Sequence, residues 1–211
     1  ANGFVGAAVV RSLIAKGIEV YALDLAGMND RLPASDLIKF IPYDLRESKM
    51  LPDLIKEREF DVFYHFAWGG TSKETRDDPQ THLENIQYTL DAAELAKRTG
   101  CKKFIGAGSQ AEYGICADRI YPDTKVEPTT SYGIAKYAAG KLSRKLCDRY
   151  QITHIWTRIF SVYGESDSEQ TMVKYALRQF RDGTPAQFSA APQLWNYLYE
   201  KDAGKIFYLL G

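Results

Sequence analysis

The sequence has few of the residues that build disulfide frameworks or metal sites. Its three cysteines, Cys101, Cys116 and Cys147, are widely spaced and include no CxxC pair. Its three histidines stand singly, without the spacing of a zinc site, and we predict structural roles for them: His65, His82 and His154. We therefore expect free or buried thiols and no bound metal.

An excess of charge and long apolar runs are also absent. The 27 Lys and Arg residues cancel the 27 Asp and Glu residues, so the protein has no overall basic surface for nucleic acid or an anionic membrane. No apolar run approaches the ~20 residues that span a bilayer, and the first residues lack the layout of a signal peptide. These features predict no nucleic-acid partner, no membrane partner and a cytoplasmic location, with any anionic ligand held by a few placed groups.

Alternating helix and strand patterns occupy most of the 211 residues. Apolar residues at helical spacing over 4–16 predict a helix, and the apolar run 19–24, which ends in Asp24, predicts a buried strand. Similar patterns predict strands at 38–43, 62–66, 103–107 and 152–159, and helices at 47–57, 80–99 and 130–150. This alternation predicts an α/β fold, a doubly wound parallel sheet with helices on both faces.

The pattern changes after about Glu165. A polar loop, a helix over 170–181 and a turn at Gly183 are followed by a predicted strand over 194–199, whose aromatic residues we assign to the core. Asp202 is the predicted cap of a last helix that continues to Leu210. We divide the chain into a sheet domain, 1–164, and a partial smaller lobe with a return segment, 165–211.

Gly3 and Gly6 mark a candidate phosphate-binding turn. In a doubly wound sheet, glycines at the start of the first helix let the backbone approach a pyrophosphate at the helix N-terminus. Asp24 follows roughly 20 residues later at the end of a predicted strand, where a carboxylate can bind an adenosine ribose and repel a 2′-phosphate. This favours NAD over NADP. The strand that usually precedes such a turn is absent, so we expect the sequence to begin partway through a natural protein.

Tyr132 and Lys136 lie one turn apart on the same predicted helix face. An ammonium beside a phenol stabilises the phenolate, and we expect Lys136 to lower the pKa of Tyr132 so that it serves as a general acid or base. Ser109 follows the strand at 103–107, at the sheet edge where open α/β proteins bind ligands. Together these residues predict one reactive site.

These motifs resemble the extended short-chain dehydrogenase/reductase family, specifically its NAD-dependent epimerase/dehydratase group, which acts on nucleotide sugars. Gly3 and Gly6 match the last two glycines of the GxxGxxG motif, and Asp24 matches the ribose-binding acid. Further matches are Asp44 beside adenine, the His65-Phe-Ala67 segment under the cofactor, Asn85 in the following helix, and the segment 158–164 that leads to the substrate lobe. Trp68 and Glu165 depart from the pattern, where a small residue and a proline are usual.

The resemblance implies an enzyme with a Rossmann fold that binds NAD and a nucleotide-sugar substrate. It implies that Ser109, Tyr132 and Lys136 are catalytic. It further implies NAD contacts from Gly3, Phe4, Gly6, Asp24, Asp44, Leu45, Ala67, Trp68, Tyr132 and Lys136. In this interpretation Tyr132 exchanges a proton with a sugar hydroxyl, Lys136 binds the nicotinamide ribose, and Ser109 holds the reacting oxygen.

Gln110 and Ala111 stand where dehydratases of this group place Asp-Glu. We therefore favour an epimerase or a 4-ketosugar reductase, with a 4,6-dehydratase and a non-catalytic NAD-binding sensor or scaffold as alternatives. The family often dimerises through two helices. The helices at 80–99 and 130–150 carry more apolar and small residues than one face needs, so we predict a homodimer.

Overall fold

Five helices and seven strands are present in a computed structural model, which describes residues 1–47, 55, 59–72, 74–191 and 194–211. The helices are α1 (Phe4–Ile14), α2 (Pro79–Arg98), α3 (Ser131–Tyr150), α4 (Met172–Arg181) and α5 (Glu200–Leu210). The strands are β1 (Val20–Asp24), β2 (Ile38–Pro42), β3 (Val62–His65), β4 (Lys103–Ser109), β5 (Thr153–Ile159), β6 (Ser161–Tyr163) and β7 (Tyr197–Tyr199). The predicted helix at 47–57 lies almost entirely outside the described residues.

All strand pairs in the described residues are parallel. β1 pairs with β2, β4 lies between β3 and β5, and β6 pairs with β7. The β4–β5 register runs from Lys103 opposite Thr153 to Ser109 opposite Ile159. Parallel neighbours must be joined by crossover segments. Those of β3–β4, β4–β5 and β6–β7 contain α2, α3 and α4, while the β1–β2 crossover at 25–37 has turns and no helix. The predicted α/β class is confirmed.

The central strand β4 is covered on both faces, because successive side chains of a strand point to opposite sides. Ile105 packs with Val9 and Leu13 of α1 and Phe207 of α5. Phe104 packs instead with alanines of α2 and with Cys147 of α3. The helices therefore form two layers that enclose β4 and leave its carboxyl end, at Ser109, as the candidate ligand edge.

The C-terminal segment returns to the sheet domain. Helix α5 packs against α1 at Gly204, where a Cβ atom would collide with the Ala8 carbonyl oxygen. Asp202 is not the cap that we predicted, since α5 begins at Glu200 and Asp202 lies within its first turn. Glu200 is buried and lies 3.7 Å from Arg11 of α1, a contact that favours the earlier start.

Helix α4 and the residues before β7 are more exposed than predicted. No residue of α4 is buried. Trp195 is 54% exposed and Tyr197 is 41% exposed, so our assignment of these aromatic residues to the core is wrong. The alternation of the aromatics predicted the strand β7, but contacts of Tyr197 with Met172 of α4 and Tyr163 of β6 leave its side chain largely exposed. In the described part of the chain, no helix is both long and apolar enough to cross a membrane.

Candidate active site

The predicted phosphate-binding turn lies at the N-terminus of α1. Gly3 is the residue before the helix, Phe4 is its first residue, and no side chain caps this end. The first backbone N–H groups of a helix lack intrahelical partners, and the helix dipole places partial positive charge there. A Cβ atom at Gly6 would lie 2.5 Å from the Ala1 carbonyl oxygen, so only glycine fits that position. The turn is therefore built for close approach of the backbone.

Asp24 lies directly beside this turn at the end of β1. Its Oδ2 accepts hydrogen bonds from the backbone nitrogens of Ala1 at 2.7 Å and Asn2 at 2.6 Å, and its Oδ1 accepts from the Leu25 amide at 2.9 Å. Burial acts to raise the pKa of Asp24, but the hydrogen bonds that it accepts outweigh this effect and lower the pKa. The structure brings the predicted ribose-binding carboxylate and the glycine turn together.

Asp44 and Leu45 follow β2, on the same side as Asp24. The backbone N–H of Tyr43 donates to the Asp24 carbonyl oxygen at 2.7 Å, which ties the two strand ends. The guanidinium of Arg46 binds the Asp44 carboxylate in a bidentate manner, and this contact lowers the pKa of Asp44 to about 2. Leu45 begins a short 3-10 helix. The predicted adenine-side carboxylate is thus already paired with a neighbouring cation.

Ser109 is the last residue of β4 and is nearly buried, with 7% exposed. Its Oγ accepts a hydrogen bond from the Ala111 amide at 3.2 Å and so begins the short 3-10 helix Gln110–Tyr113. The hydroxyl stands at the carboxyl end of the central strand, as predicted.

Tyr132 and Lys136 lie in the first two turns of α3. The helix is capped by Thr130, whose hydroxyl accepts from the Gly133 amide. A Cβ atom at Gly133 would collide with the Ala111 carbonyl oxygen, so α3 approaches the Ser109 turn closely. Lys136 donates from Nζ to the Ala107 carbonyl oxygen of β4 at 2.7 Å. The structure therefore brings Ser109, Tyr132 and Lys136 to one place.

Lys136 is buried, with 4% exposed, and Trp68 covers its ammonium. The nitrogen lies 3.7 Å from the centre of the Trp68 ring, close enough for a strong cation–π contact. Burial lowers the pKa of Lys136 to about 7, and the Glu112 carboxylate acts in the opposite direction. Trp68 Nε1 is buried and has no hydrogen-bond partner among the described residues, while the adjacent Ala67 is exposed.

The surroundings of Tyr132 contradict the expected direction of its pKa. Burial raises the pKa, and the hydrogen bond with Ser109 and the charge of Arg76 only partly offset it. Lys136 Nζ is 5.8 Å from the ring centre, whereas the Arg76 guanidinium lies over the ring at 4.8 Å. The sequence places Lys136 near Tyr132 but does not show how deeply the phenol is buried. Tyr132 is therefore held in its protonated form.

Two other residues at the site were not predicted. Arg76 lies in the loop after β3, where an isolated arginine gives no sequence signal. Glu112 stands two residues after Gln110, yet its side chain is fully buried against Arg158 and Trp156. Glutamates in turns are mostly exposed, so its burial could be recognised only from the folded contacts.

Asn85 and the histidines have contacts within the fold. Asn85 exchanges hydrogen bonds with the backbone of Gly69 at 2.8 and 3.0 Å, which fixes the loop after β3 against α2. Each histidine side chain forms a hydrogen bond: His65 with the Thr89 hydroxyl, His82 with the Arg76 carbonyl oxygen, and His154 with the Ser143 hydroxyl. Within the described ranges, no group of three or more His, Cys, Asp or Glu side chains is placed to hold a metal ion.

Fold and site together define a parallel α/β protein with a glycine turn and carboxylate at one strand end and a Ser, Tyr, Lys set at another. The chain belongs to the NAD-dependent epimerase/dehydratase family, whose model matches residues 1–210. It is 26% identical over 164 residues to a UDP-glucose 4-epimerase of Lacticaseibacillus casei, an alignment that covers 77% of this chain and 50% of that protein.

Other similar proteins act on different nucleotide sugars. A UDP-glucuronate 4-epimerase of Thermodesulfobacterium geofontis is 24% identical over 88% of this chain and 64% of its own length. A dTDP-4-dehydro-6-deoxyglucose reductase of Escherichia coli is 23% identical over 97% of this chain and 68% of its own length. The chain thus spans between half and about two thirds of these curated relatives.

Solved structures share the fold. The UDP-glucuronic acid 4-epimerase of Bacillus cereus, in complex with UDP-glucuronic acid and NAD, has a TM-score of 0.80 at 23% identity and covers 100% of this chain and 71% of its own. The UDP-glucose 4-epimerase of Thermotoga maritima with UDP-glucose has a TM-score of 0.82 at 22% identity, over 99% of this chain and 70% of its own. These similarities confirm the Rossmann-type architecture.

Proposed function

We propose that this chain is the cofactor-binding and catalytic part of an NAD-dependent nucleotide-sugar 4-epimerase or 4-ketosugar reductase. The observation that carries the proposal is the meeting of Ser109, Tyr132 and Lys136 at the carboxyl end of β4. The similar proteins are epimerases and a ketosugar reductase, which differ in their sugars but share chemistry at a sugar carbon. A dehydratase is disfavoured, since Gln110 and Ala111 cannot transfer protons for elimination and Glu112 is bound to Arg158.

The residues of the glycine turn suit NAD. The uncapped N-terminus of α1 offers backbone N–H groups to a pyrophosphate, and Gly3 leaves open space where a Cβ would stand. Asp24 would accept hydrogen bonds from the adenosine ribose and would repel a 2′-phosphate. Other proposed contacts come from Phe4, Gly6, Asp44, Leu45, Ala67, Trp68, Tyr132 and Lys136. When bound, NAD accepts or supplies a hydride at the sugar carbon.

The chemistry that we assign to the chain itself is proton transfer and orientation. Tyr132 donates its phenol proton to the sugar oxygen, and the phenolate that remains takes the proton back in the reverse step. The protonated state held by burial suits donation to a forming alkoxide. Ser109 orients that oxygen by hydrogen bonding, and Lys136 supplies positive charge beside it. Burial strengthens both interactions, because water is excluded and the local dielectric is low.

We propose that the two parts of the chain have different functions. Residues 1–164 bind NAD and carry the catalytic groups, and residues 165–211 contribute part of the nucleotide-sugar site before returning to the sheet. The exposed aromatics Trp195 and Tyr197 and the uncovered helix α4 support a ligand-facing role for this second part.

We also propose a homodimer formed through α2 and α3. These helices pack against each other and still leave Leu83, Ile134 and Leu142 between 46% and 59% exposed. Apolar side chains that remain exposed along adjacent helices favour burial against a second copy.

We further propose a cytoplasmic location, supported by three cysteines that form no disulfide with one another.

The test compares wild type with Tyr132→Phe for NAD-dependent turnover on a panel of UDP- and dTDP-sugars. Loss of the phenol proton should lower kcat by about 10²- to 10⁴-fold and leave NAD affinity nearly unchanged. Tyr137→Phe, the same change on the same helix at a half-buried position, is the control and should retain activity. Equal turnover in wild type and Tyr132→Phe would overturn the mechanism, and tight NAD binding without any turnover would favour a sensor.

A further inference from the structure

The side chain of Glu112 is a fully buried carboxylate with partners for both oxygens. Its Oε1 accepts hydrogen bonds from the Ser109 backbone amide and from Trp156 Nε1, each at 2.9 Å. Its Oε2 accepts from Arg158 Nε at 2.9 Å. Arg158 also donates to the Tyr113 hydroxyl at 3.0 Å and lies over the Tyr113 ring. A buried charge is expensive unless it is paired and hydrogen-bonded, and both conditions hold here.

This network is attached to the turn that carries Ser109. The Glu112 carboxylate accepts a hydrogen bond from the Ser109 amide, and the Ser109 hydroxyl accepts one from the Ala111 amide. Side chains therefore bind two backbone amides of this turn. A Cβ atom at Gly108 would collide with Glu112 Oε1, which shows how closely the carboxylate approaches strand β4. Any movement of Glu112 therefore moves the backbone that positions the Ser109 hydroxyl.

We propose that Glu112, held in place by Arg158, is a positioning residue of the reaction. It fixes the Ser109 turn and places a buried negative charge beside Gly108, the residue after the Ala107 carbonyl that binds the Lys136 ammonium. The inference rests on the proposed function, because it assigns Glu112 an effect on two residues of that site.

Of the groups that face the Lys136 ammonium, Glu112 provides the negative charge. Trp68 covers the ammonium from the loop after β3, and Tyr132 lies on the same helix. His65 faces it from β3, but burial first and the Lys136 charge second lower the pKa of His65 to about 3, so that histidine is neutral. Among the described residues, Glu112 is the carboxylate whose charge raises the pKa of Lys136 against the effect of burial.

The Glu112 charge also affects the pKa of Tyr132. Burial and Glu112 both raise the pKa of Tyr132, while the Ser109 hydrogen bond and the Arg76 charge lower it. His82 also contacts the ring, at 5.6 Å between ring centres. Removing the Glu112 charge should therefore lower the pKa of Lys136 and of Tyr132 together, a change that loosened packing alone would not produce.

The test is Glu112→Gln in the otherwise intact protein, since the amide oxygen can still accept from the Ser109 amide. We expect both limbs of the pH profile of kcat/KM to move to lower pH by about half a unit or more. We expect kcat at neutral pH to fall about 10-fold with KM nearly unchanged. Titration of the Lys136 side chain by NMR should show the same downward shift of its pKa and does not depend on turnover.

Trp156→Phe is the matched control, because it removes a hydrogen bond to Glu112 and leaves the charge. Its pH limbs should coincide with those of wild type. If Glu112→Gln does not fold, Arg158→Gln tests the same pair, since it removes the guanidinium that holds the Glu112 carboxylate against the Ser109 turn and should also lower kcat. Unchanged limbs and an unchanged Lys136 titration in a folded variant overturn the inference. The proposed function is tested separately, since it fails if Tyr132→Phe retains full turnover or if wild type binds NAD without turnover.

Discussion

The two strand ends that form the candidate site hold their charges in different ways. At the end of β1, the Asp24 carboxylate is 24% exposed and is bound by backbone nitrogens of the glycine turn. At the end of β4, Lys136 and Glu112 are 4% and 0% exposed, and buried side chains or backbone carbonyls bind them. The first arrangement suits recognition of a ligand, while in the second burial shifts the pKa values of Lys136 and Tyr132 away from their ordinary values.

This contrast predicts different consequences for substitution. Changes at the β4 end should alter the chemical step and the pH dependence of stability, because buried charges affect both. Changes at the β1 end should alter cofactor affinity and leave the chemical step nearly intact. Changes on the outer helix faces should alter neither property of the site.

Lys136→Met should have the largest effect. We expect kcat to fall about 10³-fold, because the positive charge beside Tyr132 and the reacting oxygen is lost. Steady-state turnover on the accepted nucleotide sugar measures this loss. Lys141→Met on the same helix, where Lys141 lies over the Tyr137 ring, is the control and should stay within about 2-fold of wild type.

The same variant tests the burial of Lys136 through stability. Its folded-state pKa of about 7 lies below the ordinary value of 10.5, so the folded protein releases a proton that the unfolded chain retains. Wild type should therefore gain stability relative to Lys136→Met as the pH rises from about 7 to about 10. Urea unfolding across this range checks the sign, and parallel curves for the two proteins would show that folding does not lower the pKa of Lys136.

Asp24→Asn should have an intermediate effect at the other strand end. We expect NAD affinity to fall about 10-fold, the loss of one charge-assisted hydrogen-bond interaction, and the preference for NAD over NADP to weaken. Isothermal titration with each dinucleotide measures both changes. Asp36→Asn, at an exposed aspartate away from the turn, should bind like wild type. An Asp24→Asn variant with normal affinity but lost turnover would reverse the roles that we assign to the two strand ends.

Leu142→Glu should have the smallest effect on the site. The substitution places a charge on the exposed face of α3, and we expect the dimer to dissociate at micromolar concentration while NAD affinity is retained. Light scattering gives the mass. Leu177→Glu, at a 60% exposed leucine of α4, should keep the dimer mass. A monomeric wild type would contradict the proposed interface.

Much of the fold could be predicted from local patterns. The apolar runs that become β1 and β4 end at polar residues, and in parallel strands those ends meet along one edge of the sheet. Helix α3 follows from its spacing. Short-range patterns therefore located Asp24, Ser109, Tyr132 and Lys136 without structural information.

The electrostatics of the site could not be predicted in this way. Glu112 owes its burial to Trp156 and Arg158, which lie 44 and 46 residues away in the chain. The raised pKa of Tyr132 depends on how far α3 buries the phenol, a tertiary property. The exposure of Trp195 and Tyr197 depends on what covers β7, since alternation in a strand shows which residues share a face but not which face is covered.

The division of labour between the two strand ends is tested most directly by measuring NAD affinity and kcat side by side for wild type, Asp24→Asn and Tyr132→Phe. For Asp24→Asn we expect weaker NAD binding with nearly normal kcat at saturating NAD. For Tyr132→Phe we expect a kcat lowered by about 10²-fold or more, with NAD binding weakened less than in Asp24→Asn because one neutral hydrogen bond is lost. Full turnover in Tyr132→Phe, or unchanged NAD affinity in Asp24→Asn, would contradict this division of labour.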